Sequence, residues 1–425
     1  MVSGLRDPAL QQAVGDYFCS EAVEAVLCCT GFASVQADRA GDGAPLWRRL
    51  GVPVVQLLIS GGSKSRWQDS SVGLSQLDLA MQVALPELDG RLMAQIGAFK
   101  EVAENDQALQ CAIQRYQPDP SAMAWSIELV QRWIALRQTP VTDKRIALVL
   151  ANYPARNARL ANGVGLDTPA SAVAILHWLQ EEGYWLGNQP LPATSEELIH
   201  QLSSGRTPDP ETWHHQASEQ LALADYRQAW KDLPNNAKQA MVERWGEPSS
   251  DPTIDGDCFP LSATRYGNIT LILQPSRGYD RDPSLNYHAP DLAPTHSYLA
   301  HYIWIREQFH AHAVIHLGKH GNLEWLPGKG MGQSPACFPQ LCLGAMPHLY
   351  PFIVNDPGEG SQAKRRSQAL ILDHLTPPLG RAGLHGPLAE LEALVDEYWE
   401  AIQLGSERSK FCLLYTSDAA DERLS

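Results

Sequence analysis

The sequence predicts an α/β protein of several domains, with mainly parallel sheets flanked by helices and a small helical insert. Three observations carry this. Apolar runs such as R-I-A-L-V-L (145–150), Y-G-N-I-T-L-I-L (266–273) and A-H-A-V-I-H (311–316) are short enough for buried strands. Each breaks at glycine, proline or a polar turn and is followed by helical spacing, the strand, loop, helix order of parallel crossovers. Between them, residues 191–248 are polar and rich in Glu and Gln, with a late Gly-Glu-Pro stop, which reads as a helical insert.

The first region spans 1–139. A-V-E-A-V-L-C-C-T-G-F (22–32) and V-P-V-V-Q-L-L-I-S-G-G-S (52–63) read as strands ending in turns. Helix and turn alternate from Gly73, with Pro86, Glu87, Asp89 and Gly90 forming a polar tip. Ser121 to Arg137 reads as an amphipathic helix, with Trp125, Leu129, Trp133 and Leu136 on one face. The second region, 140–250, opens with the 145–150 strand and breaks at Pro154 into a loop carrying Arg156, Arg159 and Asn162, suited to carboxylates or to local acids. Thr168 is expected to cap the next helix, with Pro169 in its first turn. The third region, 251–411, begins with the 266–273 strand, which leads to a turn-rich loop holding Arg277, Tyr279 and Arg281. A helix then opens at Thr295 and carries His296, Tyr298 and His301 on its early turns.

Chemistry concentrates between 311 and 360. His316 ends a strand, and G-K-H-G-N-L-E-W-L-P-G (318–328) follows, placing His320 and Glu324 at four-residue steps. Two imidazoles and a carboxylate at that spacing can face one another across a loop at a sheet's carboxyl edge, where open α/β folds bind ligands. They suit a borderline divalent metal and can also take protons. A second strand-to-loop unit, P-F-I-V-N-D-P-G-E-G-S-Q-A-K-R-R (351–366), adds Asn355, Asp356 and Glu359 at the same edge and Lys364, Arg365 and Arg366 on the helix after it.

Composition narrows the classes. A formal charge of −15 over 425 residues argues against general nucleic-acid binding, which wants a basic face. No apolar run approaches the ~18 residues that cross a bilayer, and no membrane or nucleic-acid partner is expected. The eight cysteines show no C-x-x-C spacing, as expected of reduced thiols in the cytoplasm. No G-x-x-x-x-G-K-[ST] occurs, so no nucleotide site is expected in this chain.

H-L-G-K-H-G-N-L-E-W-L-P-G-K (316–329), Y-P-F-I-V-N-D-P-G-E-G-S-Q-A-K-R-R (350–366) and D-H-L-T-P-P-L (373–379) resemble the large-subunit family of aerobic cobaltochelatase (CobN), to which the H-type large subunit of magnesium chelatase is related. The segments at 150–171 and 274–283 resemble the cobalt branch in particular. The resemblance implies insertion of a metal ion into a tetrapyrrole, with ATP hydrolysed by separate AAA+ partner subunits. For the cobalt branch it implies cobalt(II) as substrate metal and hydrogenobyrinate a,c-diamide, on the route to cobalamin, as macrocycle.

Under that reading His316, His320 and Glu324 are the candidate metal ligands and proton acceptors. Arg277, Tyr279, Asn355, Asp356, Glu359, Lys364, Arg365 and Arg366 are the candidate substrate-binding residues, the arginines being shaped to hold peripheral carboxylates. Magnesium insertion into protoporphyrin and a non-catalytic tetrapyrrole scaffold are the alternatives. A zinc hydrolase fits less well, because Leu317 stands where a zincin has its glutamate and two glycines interrupt the helix it needs. The family's large subunits are far longer, so the chain is expected to be an internal piece, inactive in isolation. C-L-L-Y-T-S-D-A-A-D-E (412–422) resembles a translated sequencing adaptor, and 412–425 are expected to lie outside the fold.

Overall fold

The computed structural model describes residues 5, 7–34, 45–108, 110–152, 157–163, 166–278, 291–318, 321–352, 357–373, 391, 393–395 and 398. The chain divides into two compact units, Met1–His374 and Leu375–Ser425; the fold below is that of the first. The expected adaptor-like end, 412–425, lies outside the described residues.

Residues 1–139 build one sheet from β1 (Val26–Cys28), β2 (Val54–Ser60), β3 (Leu92–Asp106) and β4 (Cys111–Pro118), in that spatial order. The first three strands are parallel and β4 closes an antiparallel hairpin with β3. The Gly-Gly-Ser turn after β2 ends in Ser63, whose hydroxyl caps the helix Lys64–Asp69. The helix Pro120–Gln138 is capped by Asp119, whose carboxylate accepts from the Ser121 and Ala122 N–H groups. It lays Leu129, fully buried, and Trp125, Val130 and Trp133 against Val55, Leu92 and Ala94.

The central sheet crosses the sequence boundary at 250. Beyond β5 (Ile146–Leu150) the chain forms β6 (Glu219–Ala222), β7 (Cys258–Leu261), β8 (Ala263–Tyr266), β9 (Ile269–Leu273), β10 (Ala313–Leu317), β11 (His348–Phe352) and β12 (Leu370–Asp373). Six strands lie in the order β12-β11-β10-β5-β9-β8. All neighbours are parallel except β8, the antiparallel edge. β5 is buried along its whole length, as a strand covered on both faces must be. One face packs Val149, Ile272 and Val314 under the helix His296–Glu307. The other packs Leu148, Leu150, Leu271 and Leu317 under the helices Thr168–Glu181 and Ser195–Ser204.

The 191–248 stretch is helical, as its composition predicts, in three pieces: Ser195–Ser204, Leu223–Lys231 and Asn235–Trp245. Strand β6 interrupts it and pairs with β7. Thr295 caps its helix, accepting from the Tyr298 N–H. At the other expected cap the structure differs: Asp167 accepts from Ala170 N–H and Thr168 is already helical. A carboxylate one residue earlier reaches the same unsatisfied amides, and the Thr168 hydroxyl turns towards Gly163 and Gly318.

Candidate functional site

The site forms where β10 and β11 run out. Gly318 follows β10 with φ +107°, and a Cβ there would lie 2.8 Å from both Ala151 Cβ and Thr168 Oγ1, so the position demands glycine. Parallel register sets Val314 beside His348. With side chains alternating along each strand, His316 and His348 share one sheet face.

Four groups there form a buried hydrogen-bonded line. Tyr302 OH lies 2.8 Å from His316 Nε2, His316 Nδ1 lies 2.7 Å from His348 Nε2, and His348 Nδ1 lies 2.8 Å from the Ser367 carbonyl oxygen. Tyr302, His316 and His348 are at most 3 % exposed. Burial, and then the neighbouring His348 ring, hold His316 well below the usual imidazole range. Burial lowers His348 to about 4 and pushes the Tyr302 hydroxyl far above the phenol range. All three are therefore neutral near pH 7.

Glu324 sits on a single helical turn, Leu323–Trp325, and is 3 % exposed. The Tyr350 hydroxyl accepts from Gly321 N–H at 2.8 Å and lies 3.3 Å from Glu324 Oε1 and 3.2 Å from the Gly318 carbonyl. Arg366 clasps the same loop from behind. Its guanidinium donates to the carbonyls of Glu324, Leu326 (2.8 Å), Gly328 (3.3 Å) and Lys329 (3.2 Å). Arg365 makes a two-pronged pair with Glu87 at 3.0 and 2.8 Å, reaching into the first region. Arg277 is fully buried and donates to the Leu292 carbonyl at 3.2 Å. The donors expected to hold substrate carboxylates thus make these contacts within the protein. Lys364 and Glu359 are half-buried on the helix Pro357–Arg366. His320, Tyr279, Asn355 and Asp356 lie outside the described residues.

Among the described residues no group of three His, Cys, Asp or Glu side chains is placed to hold a metal. Both ring nitrogens of His316 face hydrogen-bond partners in this line. Next to the Glu324 loop a cleft of about 960 Å³ opens, lined by Lys64, Trp67, Asp119, Asp291, Lys329 and Cys337 among others. Lys329 borders it and donates to the carbonyls of Trp67, Gln68 and Ser70 at 2.6, 3.0 and 2.6 Å, with its ammonium over the Trp67 ring.

A family model described as CobN/Magnesium Chelatase matches residues 1–417. The chain belongs to this family. It is 44 % identical to the aerobic cobaltochelatase CobN protein of a Sinorhizobium species over 400 residues, 94 % of this chain and 31 % of that protein. It is 45 % identical to the Pseudomonas aeruginosa CobN over 410 residues, 96 % of this chain and 32 % of that protein. The H-type magnesium-chelatase protein of Rhodobacter capsulatus is 30 % identical over 392 residues, 87 % of this chain and 32 % of that protein. The solved catalytic subunit of cobaltochelatase from Mycobacterium tuberculosis superposes with a TM-score of 0.75 at 36 % identity, over 99 % of this chain and 36 % of that one. The chain spans about a third of the length of these relatives.

Within this family member, sequence reasoning missed Tyr302, His348 and Tyr350. The readable signal was H-L-Y-P-F (348–352), a strand whose alternate residues His348, Tyr350 and Phe352 put aromatic rings, two of them with polar atoms, on one face. His296, by contrast, is a core histidine. Its ring bridges Tyr226 OH at 2.8 Å and the Gly246 carbonyl at 2.9 Å.

Proposed function

We propose that this chain carries the macrocycle-handling part of a cobaltochelatase large subunit, which inserts cobalt(II) into hydrogenobyrinate a,c-diamide while AAA+ partner subunits hydrolyse ATP. The observation that carries the choice of metal is the contrast in identity: 44–45 % to two CobN proteins against 28–31 % to the magnesium-chelatase relatives. Metal insertion must strip waters from the cation and take two protons from pyrrole nitrogens, so it needs a ligand and bases close together. Glu324, held on its loop by Gly321, Tyr350 and Arg366, supplies a carboxylate. His320, four residues before it, supplies an imidazole. His316 stands behind them in the buried line, and the cleft beside Lys329 offers volume for a ring-shaped ligand.

The test is to titrate the chain with hydrogenobyrinate a,c-diamide and, separately, protoporphyrin, and to follow insertion of cobalt or magnesium spectroscopically in a full-length large subunit carrying these residues, with partner subunits and ATP. Glu324→Gln and His320→Ala are expected to abolish insertion while leaving macrocycle affinity within about threefold, since each removes a group that acts on the metal or proton rather than on the ring's periphery. Equal losses of binding and insertion would refute that division of labour. Preference for protoporphyrin and magnesium would move the chain to the other branch.

A further inference from the structure

The buried line at β10 and β11 has a direction, and its far end sets it. The Ser367 carbonyl oxygen can only accept, so at 2.8 Å the facing His348 Nδ1 must carry a proton. Neutral His348 then has its lone pair on Nε2, and the facing His316 Nδ1, 2.7 Å away, must donate. Neutral His316 in turn has its lone pair on Nε2, which accepts the Tyr302 hydroxyl proton at 2.8 Å. The anchor itself is fixed: Ser367 N–H and Oγ both donate to the Ala363 carbonyl, at 3.1 and 2.9 Å, at the end of the helix Pro357–Arg366. Reversing any one bond would set two acceptors or two donors face to face at 2.7–2.8 Å, too close for a water to fit between them.

We propose that His348 is a positioning residue that acts through His316, locking it in the Nδ1–H tautomer so that its one basic nitrogen, Nε2, faces Tyr302 and the helix His296–Glu307. Two consequences follow. His316 is withheld from metal ligation and kept as a neutral acceptor whose neighbour for proton exchange is the Tyr302 hydroxyl. The geometry of the β10 end, and so of the loop leading to Glu324, is tied to the Ser367 carbonyl through β11. The tautomer assignment stands by itself; its bearing on metal insertion rests on the function proposed above.

The deciding experiment is nitrogen NMR of the chain labelled with 15N-histidine, the His316 signals being assigned by His316→Gln. His316 is expected to show a protonated Nδ1 and a bare, hydrogen-bonded Nε2. His348→Gln should preserve this pattern, because its amide N–H₂ can donate to Ser367 and its oxygen can accept from His316. His348→Phe should abolish it, giving a tautomer mixture or the Nε2–H form. In the insertion assay His348→Phe is expected to lose on the order of 10-fold in rate, with His348→Gln restoring most of it. If His348→Phe does not fold, Tyr302→Phe decides alone: it removes the donor at the other end and should leave Nδ1 protonated. A wild-type Nε2–H signal, or a tautomer that switches in Tyr302→Phe but not in His348→Phe, overturns the proposal. If the full-length large subunit carrying these residues inserts no metal with its partner subunits and ATP, the functional reading fails while the nitrogen pattern still decides the tautomer.

Discussion

Gly321 shows how tightly single residues are constrained around Glu324. A Cβ at this position would lie 2.6 and 2.7 Å from the two Glu324 carboxylate oxygens and 2.7 Å from the Tyr350 hydroxyl. Nothing there can yield without breaking the contacts that hold Glu324, since Tyr350 is buried beside it. Gly321→Ala is therefore expected to cost about 1–3 kcal/mol, read as a lower thermal midpoint, together with loss of insertion. An unchanged midpoint would mean that the loop gives way freely and that Glu324 is not held as described. At this scale the sequence showed His316 and Glu324 readily, because strand end, glycine and four-residue steps are local signals. Their partners were not legible: Tyr302 lies 14 residues from His316, His348 lies 32 residues from it, and Tyr350 lies 26 residues from Glu324. Sheet register brings His348 to His316, and the packing of the helix His296–Glu307 and of the Leu323–Trp325 turn against the sheet brings the other pairs together.

At the scale of elements, local chemistry decided which parts could be read. Thr295 was legible because a cap followed by helical spacing needs nothing from elsewhere in the chain, and the helix at 120–138 because Trp125, Leu129, Trp133 and Leu136 recur on one face. β3 was not, because L-M-A-Q-I-G-A-F-K-E-V-A-E-N-D (92–106) turns from apolar to acidic part-way and its second half uses residues depleted in strands. Pairing with β4 supplies the hydrogen bonds that local preference does not. The cap at Asp119 gives a quantitative test, since its carboxylate accepts from Ser121 and Ala122 N–H at 3.1 and 3.2 Å and from Lys64 Nζ at 2.7 Å. Asp119→Ala should lose about 1–2 kcal/mol. Asp119→Asn keeps an accepting oxygen and forfeits only the ion pair with Lys64, whose side chain is 45 % exposed, so it should lose well under half of that. Denaturant midpoints of the two variants would check this, and equal losses would show that the ion pair, not the cap, dominates.

On the scale of the whole molecule, segments far apart in sequence are joined by buried polar contacts as well as by apolar ones. β5 sits between β10 and β9, Lys329 binds the carbonyls that end the Lys64–Asp69 helix, and Arg365 reaches Glu87. Several of the polar groups that do this are histidines kept uncharged. His301 is lowered to about 4 by burial; its Nδ1 faces the Ser297 carbonyl at 2.7 Å and its Nε2 accepts from Ser262 N–H. His348 is lowered to about 4 by burial as well. A histidine of ordinary pKa, about 6.5 when unfolded, binds fewer protons folded than unfolded between those two values. The stability it contributes is therefore complete above about pH 6.5 and is lost as pH falls towards 4, at about 1.4 kcal/mol per pH unit for each such group. Ordinary carboxylates remain ionised down to about pH 5, so the window from 6.5 to 5 isolates the histidines. The thermal midpoint is expected to drop across that window, and to drop less in His348→Gln, which removes one of the titrating rings while keeping its hydrogen bonds. A midpoint that is flat from pH 7 to 5, or a slope identical in His348→Gln, would mean that His348 is already charged in the folded protein, and the direction of the line from Ser367 to Tyr302 would have to be abandoned with it.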